Sequence, residues 1–268
     1  MINLEILGYI SAFIVGFTLG LFGAGGAILT IPIMVYLFSV EPILATVYSL
    51  FIVGVTAFIG SVNYLKEGMI NLKQSLYFSI PSVIIMILMR KFLIPSVPDN
   101  LNFLSLSFTK NTGILVLFSI VLLSSSISMI KGGVKAEINS QVMSNKDKLI
   151  LIFSGVATGI IGGAVGAGGG FVIIPALVLL AKMPVKKAVG TSLIIIAINS
   201  LTGFISDLTG DYYFDWKLIL IFLAIAIAGI ITGGIVEKKI SPGKLKVSFG
   251  YFILIMGIYI FLKETIFS

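Results

Sequence analysis

Long apolar stretches separated by short polar segments run along the whole chain of 268 residues. Two of them, residues 4–38 and 149–181, would form helices of about 50 Å at 1.5 Å per residue, whereas a bilayer core is about 30 Å thick. Each contains a glycine cluster near its middle, where a helix would be weakest. The pattern therefore predicts two hairpins, each with two half-length arms. Six further stretches predict single spans: 43–65, 74–94, 112–130, 187–206, 217–236 and 247–262.

Composition places these helices in a membrane. The chain is 58% hydrophobic and 11% charged, whereas soluble domains carry about a quarter charged residues. We therefore predict an all-α polytopic protein that crosses the cell (inner or plasma) membrane several times. The sequence has no Cys and no His, which excludes thiol chemistry and the commonest metal ligand. No catalytic residue, metal site or cofactor is predicted.

The basic residues indicate how the spans are oriented. With two hairpins, most of the 18 Lys and Arg lie on one side, which the positive-inside rule makes the cytoplasm. With single crossings in place of the hairpins, this bias disappears. Five of the 18 fall on the outer side, and the adjacent Arg90 and Lys91 among them fit the pattern least well. The net charge of +7 is spread over short loops, so a nucleic-acid partner is not expected.

The glycine clusters belong to an internal repeat. The string GAGGAILTIP at residues 23–32 returns 143 residues later as GAGGGFVIIP at 166–175. A hairpin plus three spans makes an odd number of net crossings, so the two halves run in opposite directions. This inverted-topology repeat is typical of transporters. We predict one transmembrane domain over 1–268, half-repeats 1–131 and 148–268, and a cytoplasmic linker over 132–147.

The hairpin tips are the candidate binding site. The first N–H groups of a helix that starts after glycines lack helical partners and carry partial positive charge, which favours an anion. Hydroxyl and amide side chains deep in the spans are further donors. For these residues interhelical packing and hydrogen bonding remain alternatives, and for Gly16, Gly20, Gly155, Gly159 and Gly163 helix packing is favoured. The predicted substrate-binding residues are Gly23, Gly25, Gly26, Gly166, Gly168, Gly169, Gly170, Ser49, Thr191, Ser192 and Asn199.

An acidic loop offers a different chemistry. The segment DLTGDYYFDW at 207–216 carries three carboxylates, a number sufficient to bind a divalent cation. An exposed acidic loop with aromatic residues at the membrane interface is the favoured interpretation.

At the glycine motifs the chain resembles the TauE/SafE family of membrane transporters. The paired GAGG and GAGGG motifs and the stretch AVGTSLIIIAINSLTGF at 188–204 carry the resemblance. It implies transport of small sulfur oxyanions or organosulfonates, usually export of sulfite or sulfoacetate-like anions, and a site role for Thr191 and Ser192. The first half departs from the second, because it reads VYSL at 47–50 where the second reads GTSL at 190–193.

These observations predict a transporter, not an enzyme. An inside-negative potential favours anion exit by about 2.3 kcal/mol per charge per 100 mV, so export driven by the potential is expected. Alternatives are an importer of thiosulfate or another organosulfur anion, and a non-transport membrane scaffold. The expected partners are a small anionic substrate and the lipid bilayer, and small-residue faces permit a homodimer.

Overall fold

The computed structural model describes residues 2–93, 96–98, 100–103, 106–131, 145–165, 169–208 and 213–266. Two π-helical turns, Met89–Leu93 and Ala176–Leu180, continue the fourth and seventh helices. The helices are α1 (Ile2–Phe22), α2 (Gly25–Tyr36), α3 (Pro42–Lys66), α4 (Leu72–Leu88), α5 (Lys110–Lys131), α6 (Asn145–Val165), α7 (Gly170–Pro175), α8 (Val185–Asp207), α9 (Trp216–Glu237) and α10 (Pro242–Ile266).

The chain breaks where the glycine clusters were expected to break it. Gly23 has φ +72 and ends α1, with its N–H donating to the carbonyl oxygen of Leu19 at 2.7 Å. Gly169 has φ +71 and precedes α7. Left-handed backbone of this kind favours glycine, which has no Cβ to clash. Each long apolar stretch is therefore a helical hairpin.

The prediction of two half-length arms was wrong for the first arm of each hairpin. Helices α1 and α6 have 21 residues each, or about 31 Å, and each is the longer arm of its hairpin. Only the return arms are short, since α2 has 12 residues and α7 has 6 before its π-helical turn. The glycines lie nearer the far end of each first arm than its middle.

The helix bounds and the packing follow the internal repeat. Adding 143 to the bounds of α1 gives those of α6, and the starts of α3 and α4 map onto those of α8 and α9 to within one residue. The same shift turns the packed pair α1 and α9 into the packed pair α6 and α4. It turns the pair α3 and α8, and the pair α5 and α10, into themselves. The two halves are thus built alike and packed against each other.

Equivalent helices of the two halves run antiparallel where they touch. Along α3 and α8, Gly54 lies against Leu201 and Gly60 lies further along against Leu193. Along α5 and α10, Ile130 lies against Gly250 and Leu123 against Gly257. This packing supports an inverted repeat, and the orientation of each half in a membrane stays a prediction.

The bundle has two distinct ends. At one end, which we call the Asp207 end, Tyr48 near the start of α3 accepts a hydrogen bond from the Asp215 N–H at 2.8 Å, just before α9. At the other end, the Glu237 end, Tyr64 near the end of α3 donates to Glu237 at the end of α9, at 3.1 Å. Hairpin α1–α2 starts and returns at the Asp207 end, and hairpin α6–α7 at the Glu237 end.

Five helices in the described residues are long and apolar enough to cross a membrane: Pro42–Lys66, Leu72–Leu93, Val185–Asp207, Trp216–Glu237 and Pro242–Thr265. Their outward faces carry exposed large side chains such as Ile84, Leu220 and Ile255. Such surfaces suit lipid, which confirms the predicted helical membrane fold. One element was not expected: a two-stranded antiparallel ribbon, β1 (Asn100–Phe103) and β2 (Leu106–Thr109), between α4 and α5.

Glycines let the helices of the two halves touch. A Cβ built on Gly16 would lie 1.8 Å from the carbonyl oxygen of Ala226, and one on Gly159 would lie 2.5 Å from that of Ser82. Real Cβ atoms do not approach so closely. The predicted packing role is confirmed for the whole set: Gly16, Gly20, Gly155, Gly159 and Gly163.

Gly16→Ala is expected to lower the thermal unfolding temperature in detergent, because α1 and α9 must separate to admit the methyl group. Overpacking of this kind costs about 1–3 kcal/mol. The matched control is Gly234→Ala on α9, where a Cβ would meet nothing within 4 Å. Equal unfolding temperatures for both variants would contradict the close contact at Gly16.

Candidate functional site

Tip 1, the turn at Gly23–Gly26, is anchored to α8. The Ser192 hydroxyl lies 2.9 Å from the carbonyl oxygen of Gly23 and 2.8 Å from that of Val189, within donating distance of both. A Cβ on Gly23 would lie 2.7 Å from the Ser192 Oγ. Cβ atoms on Gly25 and Gly26 would meet Thr18 and Leu19 at 2.8 and 3.0 Å. The tip 1 glycines therefore make close contacts with protein atoms.

Tip 2, described from Gly169 onward, reaches the middle of α8. A Cβ on Gly169 would lie 2.2 Å from the Thr158 Cγ2, and one on Gly170 would lie 3.0 Å from the Ile196 Cδ1. The same Gly170 position is 3.6 Å from the carbonyl oxygen of Ala24. The two tips thus meet inside the bundle, as expected of hairpins that start at opposite ends. Gly166 and Gly168 lie outside the described residues.

The predicted side-chain donors divide into two groups. Thr191 accepts a hydrogen bond from the Asn71 N–H at 3.2 Å, and Ser192 is used at tip 1, so both have structural partners. The Ser49 hydroxyl is buried and has no hydrogen-bond partner in the described chain. Asn199 donates through Nδ2 to Ser82 Oγ at 2.8 Å, while its Oδ1 is buried without a partner. Ser49 and Asn199 therefore retain hydrogen-bonding capacity for a ligand.

Three buried hydroxyls near tip 2 are not among the substrate-binding residues predicted from the sequence. The oxygens of Ser79, Thr158 and Ser200 are buried, and none has a hydrogen-bond partner within the described ranges. Buried polar groups are normally hydrogen-bonded, so each such atom requires a reason. A signal was available in the repeat, because the residues 143 positions away are of a different type, as shown below.

Arg90, a basic residue on the predicted outer side, forms a buried ion pair. Its Nε donates to Asp207 Oδ1 at 2.8 Å, a second guanidinium nitrogen pairs with Oδ2, and Thr46 Oγ1 lies 3.3 Å away. Both charged side chains are 10% exposed. The pair joins α3, α8 and the turn after α4 at the Asp207 end, so Arg90 is held by a carboxylate.

The acidic loop uses its described carboxylates in separate contacts. Asp207 pairs with Arg90, and Asp215 caps α9 by accepting from the Leu218 N–H at 3.0 Å. Asp211 lies outside the described residues. A shared cation is therefore not needed to explain Asp207 or Asp215.

At the Glu237 end, contacts between α3 and α9 close the bundle. The buried Glu237 accepts from the Tyr64 hydroxyl, and Lys238 pairs with Glu67 at the surface. Lys186, in the first turn of α8, donates to the carbonyl oxygen of Lys238 at 3.2 Å. Helices α3, α8 and α9 are thus tied together at this end.

These features define a class: a multi-pass α-helical membrane protein made of two similar halves, with two hairpins that meet in its interior. The chain belongs to the TauE/SafE family, because the model of that family, described as "Sulfite exporter TauE/SafE", matches residues 9–260. The family confirms the resemblance carried by the glycine motifs. The protein is therefore a membrane transporter of this family.

The chain is also similar to proteins that are named as probable membrane transporters. A probable membrane transporter protein of Methanocaldococcus jannaschii is 32% identical over 267 residues, covering 94% of each chain. One of Xylella fastidiosa is 27% identical over 255 residues, covering 92% of this chain and 91% of that protein. Another, of Bacillus subtilis, is 24% identical over 221 residues, covering 82% and 85%. No solved structure matches the chain.

Proposed function

We propose that the protein exports small sulfur-containing anions, such as sulfite or sulfoacetate, across the plasma membrane. The description of its family as sulfite exporters supports the substrate class. The observation that carries the proposal is the meeting of the two hairpin tips, where Gly170 lies beside the Ala24 carbonyl. Helix α2 begins there without a side-chain cap, so its first N–H groups suit an anion.

The Glu237 end faces the cytoplasm in this proposal. Lys66, Lys148, Lys186 and Lys238 lie at or near that end, and the positive-inside rule assigns such loops to the cytoplasm. An anion that leaves through the Asp207 end then moves down the inside-negative potential. Each charge gains about 2.3 kcal/mol per 100 mV, so no second driving ion is required.

Anion flux in proteoliposomes under an imposed potential tests the proposal. We expect one of sulfite, thiosulfate or sulfoacetate to move at a rate that rises with the potential, while sulfate and chloride move slowly. The rate should rise with the potential because the driving force acts on the net charge of the anion. Flux that follows a proton gradient and ignores voltage would contradict potential-driven export. Accumulation against the potential would indicate import, and no flux of any of the five would remove the anion assignment.

A further inference from the structure

Tip 2 lies against α6 and α8, and α4 packs on both of these helices. Five polar side chains lie there on three helices, and we call them the hydroxyl cluster: Ser79, Ser82, Thr158, Asn199 and Ser200. All five are at most 1% exposed. We infer that this cluster is the substrate-binding site, so that the anion is held by the second hairpin and its neighbours and not equally by both tips. The inference rests on the proposed function and names the residues that would perform it.

Contacts place the cluster around tip 2. Thr158 adjoins Gly169, and Ile196 adjoins Gly170. Asn199 and Ser200 lie one turn beyond Ile196 on the same face of α8. Asn199 reaches α4 through its hydrogen bond to Ser82, and a Cβ on Gly159, beside Thr158, would meet the Ser82 backbone. Ser79 lies one turn before Ser82 on α4, so the five side chains lie on three helices that pack together beside tip 2.

Four oxygens in the cluster have no hydrogen-bond partner among the described residues: Ser79 Oγ, Thr158 Oγ1, Asn199 Oδ1 and Ser200 Oγ. Leaving such a group buried and unpaired costs about 1–3 kcal/mol each. Several at one place are therefore unfavourable unless a ligand or water completes them during function. Several other buried serines and threonines bond their own helix, as Thr56 does to the carbonyl oxygen of Ile52 at 2.6 Å. Ser49, outside the cluster, is also unpartnered among the described residues.

The positions equivalent to the cluster by the repeat are apolar except for Thr56. Shifting the cluster by 143 residues gives Phe222 for Ser79, Ile225 for Ser82, Val15 for Thr158, Thr56 for Asn199 and Ala57 for Ser200. Val15 and Phe222 belong to a packed hydrophobic core. Two halves with the same fold would pack equally well with the same apolar residues. The polar residues of the hydroxyl cluster are thus an addition that packing does not explain.

The chemistry of the cluster suits a small oxyanion. Three hydroxyls can donate. The Asn199 amide can donate as well if it rotates by half a turn about its terminal bond. Its Oδ1 then accepts from Ser82, and its Nδ2 becomes free to donate to the ligand. An oxyanion presents several acceptor oxygens to such donors. Arg90, on the α4 side, is committed to Asp207, so the donors at tip 2 are neutral. Neutral donors bind an anion while avoiding a charged side chain deep in the bilayer.

The decisive variant is Thr158→Val, which keeps the shape and removes an unpartnered hydroxyl. A structural role predicts an unchanged or higher unfolding temperature and unchanged flux, because nothing in the protein loses a partner. A binding role predicts the same stability together with an apparent KM for sulfite raised about tenfold, the effect of losing one hydrogen bond to a charged ligand. Ser79→Ala and Ser200→Ala are expected to act in the same direction.

The matched control is Thr56→Val, at the position equivalent to Asn199 in the first half. Its hydroxyl already bonds its own helix, so sulfite KM should stay within about twofold of wild type. Unchanged KM in Thr158→Val, or an equal rise in Thr56→Val, would overturn the inference. Both KM values are measured in proteoliposomes that contain the 268-residue chain, and unfolding temperatures are measured in detergent.

Sulfite-induced thermal stabilisation separates this inference from the proposed function. If the wild type shows no flux but sulfite raises its unfolding temperature, the transport proposal fails. The thermal shifts of the variants then still test the binding site. A shift that is lost in Thr158→Val and kept in Thr56→Val supports the hydroxyl cluster, and equal shifts exclude it. If none of sulfite, thiosulfate and sulfoacetate gives a shift in the wild type, the inference and the substrate assignment both fail.

Discussion

Replacing Gly169 by valine is expected to abolish anion flux. The backbone there has φ +71, which costs an L residue about 1–2 kcal/mol and a β-branched residue more. The new Cβ would also lie 2.2 Å from Thr158 Cγ2. Tip 2 must therefore move away from α6, which displaces the Thr158 hydroxyl from the hydroxyl cluster. Flux in proteoliposomes at equal protein incorporation measures the loss, and wild-type flux in the variant would show that tip 2 has no part in transport.

Three further variants separate the effect of the backbone conformation from that of the collision. Gly68→Ala has a similar left-handed backbone, φ +66, but its Cβ would meet nothing within 4 Å, so it should keep flux. Gly169→Ala combines strain with collision and should lose most of it. Adding Thr158→Ser removes the colliding methyl and keeps the hydroxyl, so the double variant should recover flux beyond Gly169→Ala alone. No recovery would mean that the left-handed backbone alone is decisive.

The sequence predicted the hairpins because their signal is strong and local. An apolar stretch longer than the bilayer is thick, with glycines inside it, has few other solutions. The predicted arm lengths were wrong because a glycine weakens a helix but does not necessarily end it. Helix α1 passes Gly16 and Gly20, which serve packing, and ends only where Gly23 adopts a left-handed backbone.

The hydroxyl cluster could not be predicted in the same way. A threonine in an apolar helix has the same sequence context whether it bonds its own backbone, as Thr56 does, or is left unpartnered, as Thr158 is. The difference arises from neighbouring helices distant in sequence. The same holds for Arg90, whose partner Asp207 is 117 residues away. Only comparison of the two halves, position by position, reveals the polar excess from sequence.

Removing Asp207 is expected to destabilise the protein more than any other single change at its surface or ends. In Asp207→Leu the guanidinium of Arg90 stays about 90% buried without its carboxylate, since its side chain is 10% exposed. Breaking a buried pair by removing one partner costs about 3–5 kcal/mol. The unfolding temperature in detergent should fall accordingly, and the remaining contact to Thr46 cannot replace a charge.

The double variant Arg90→Met/Asp207→Leu distinguishes the unpaired charge from the lost contact. Apolar residues of similar volume often replace a buried pair at little cost, so its unfolding temperature should return close to that of wild type. The matched control is the exposed pair Lys238–Glu67, with side chains 52% and 41% exposed. Glu67→Leu should change stability by about 0–1 kcal/mol, because solvent screens exposed pairs. A double variant no more stable than Asp207→Leu would show that the pair itself, with its hydrogen bonds across α3, α4 and α8, holds the Asp207 end together.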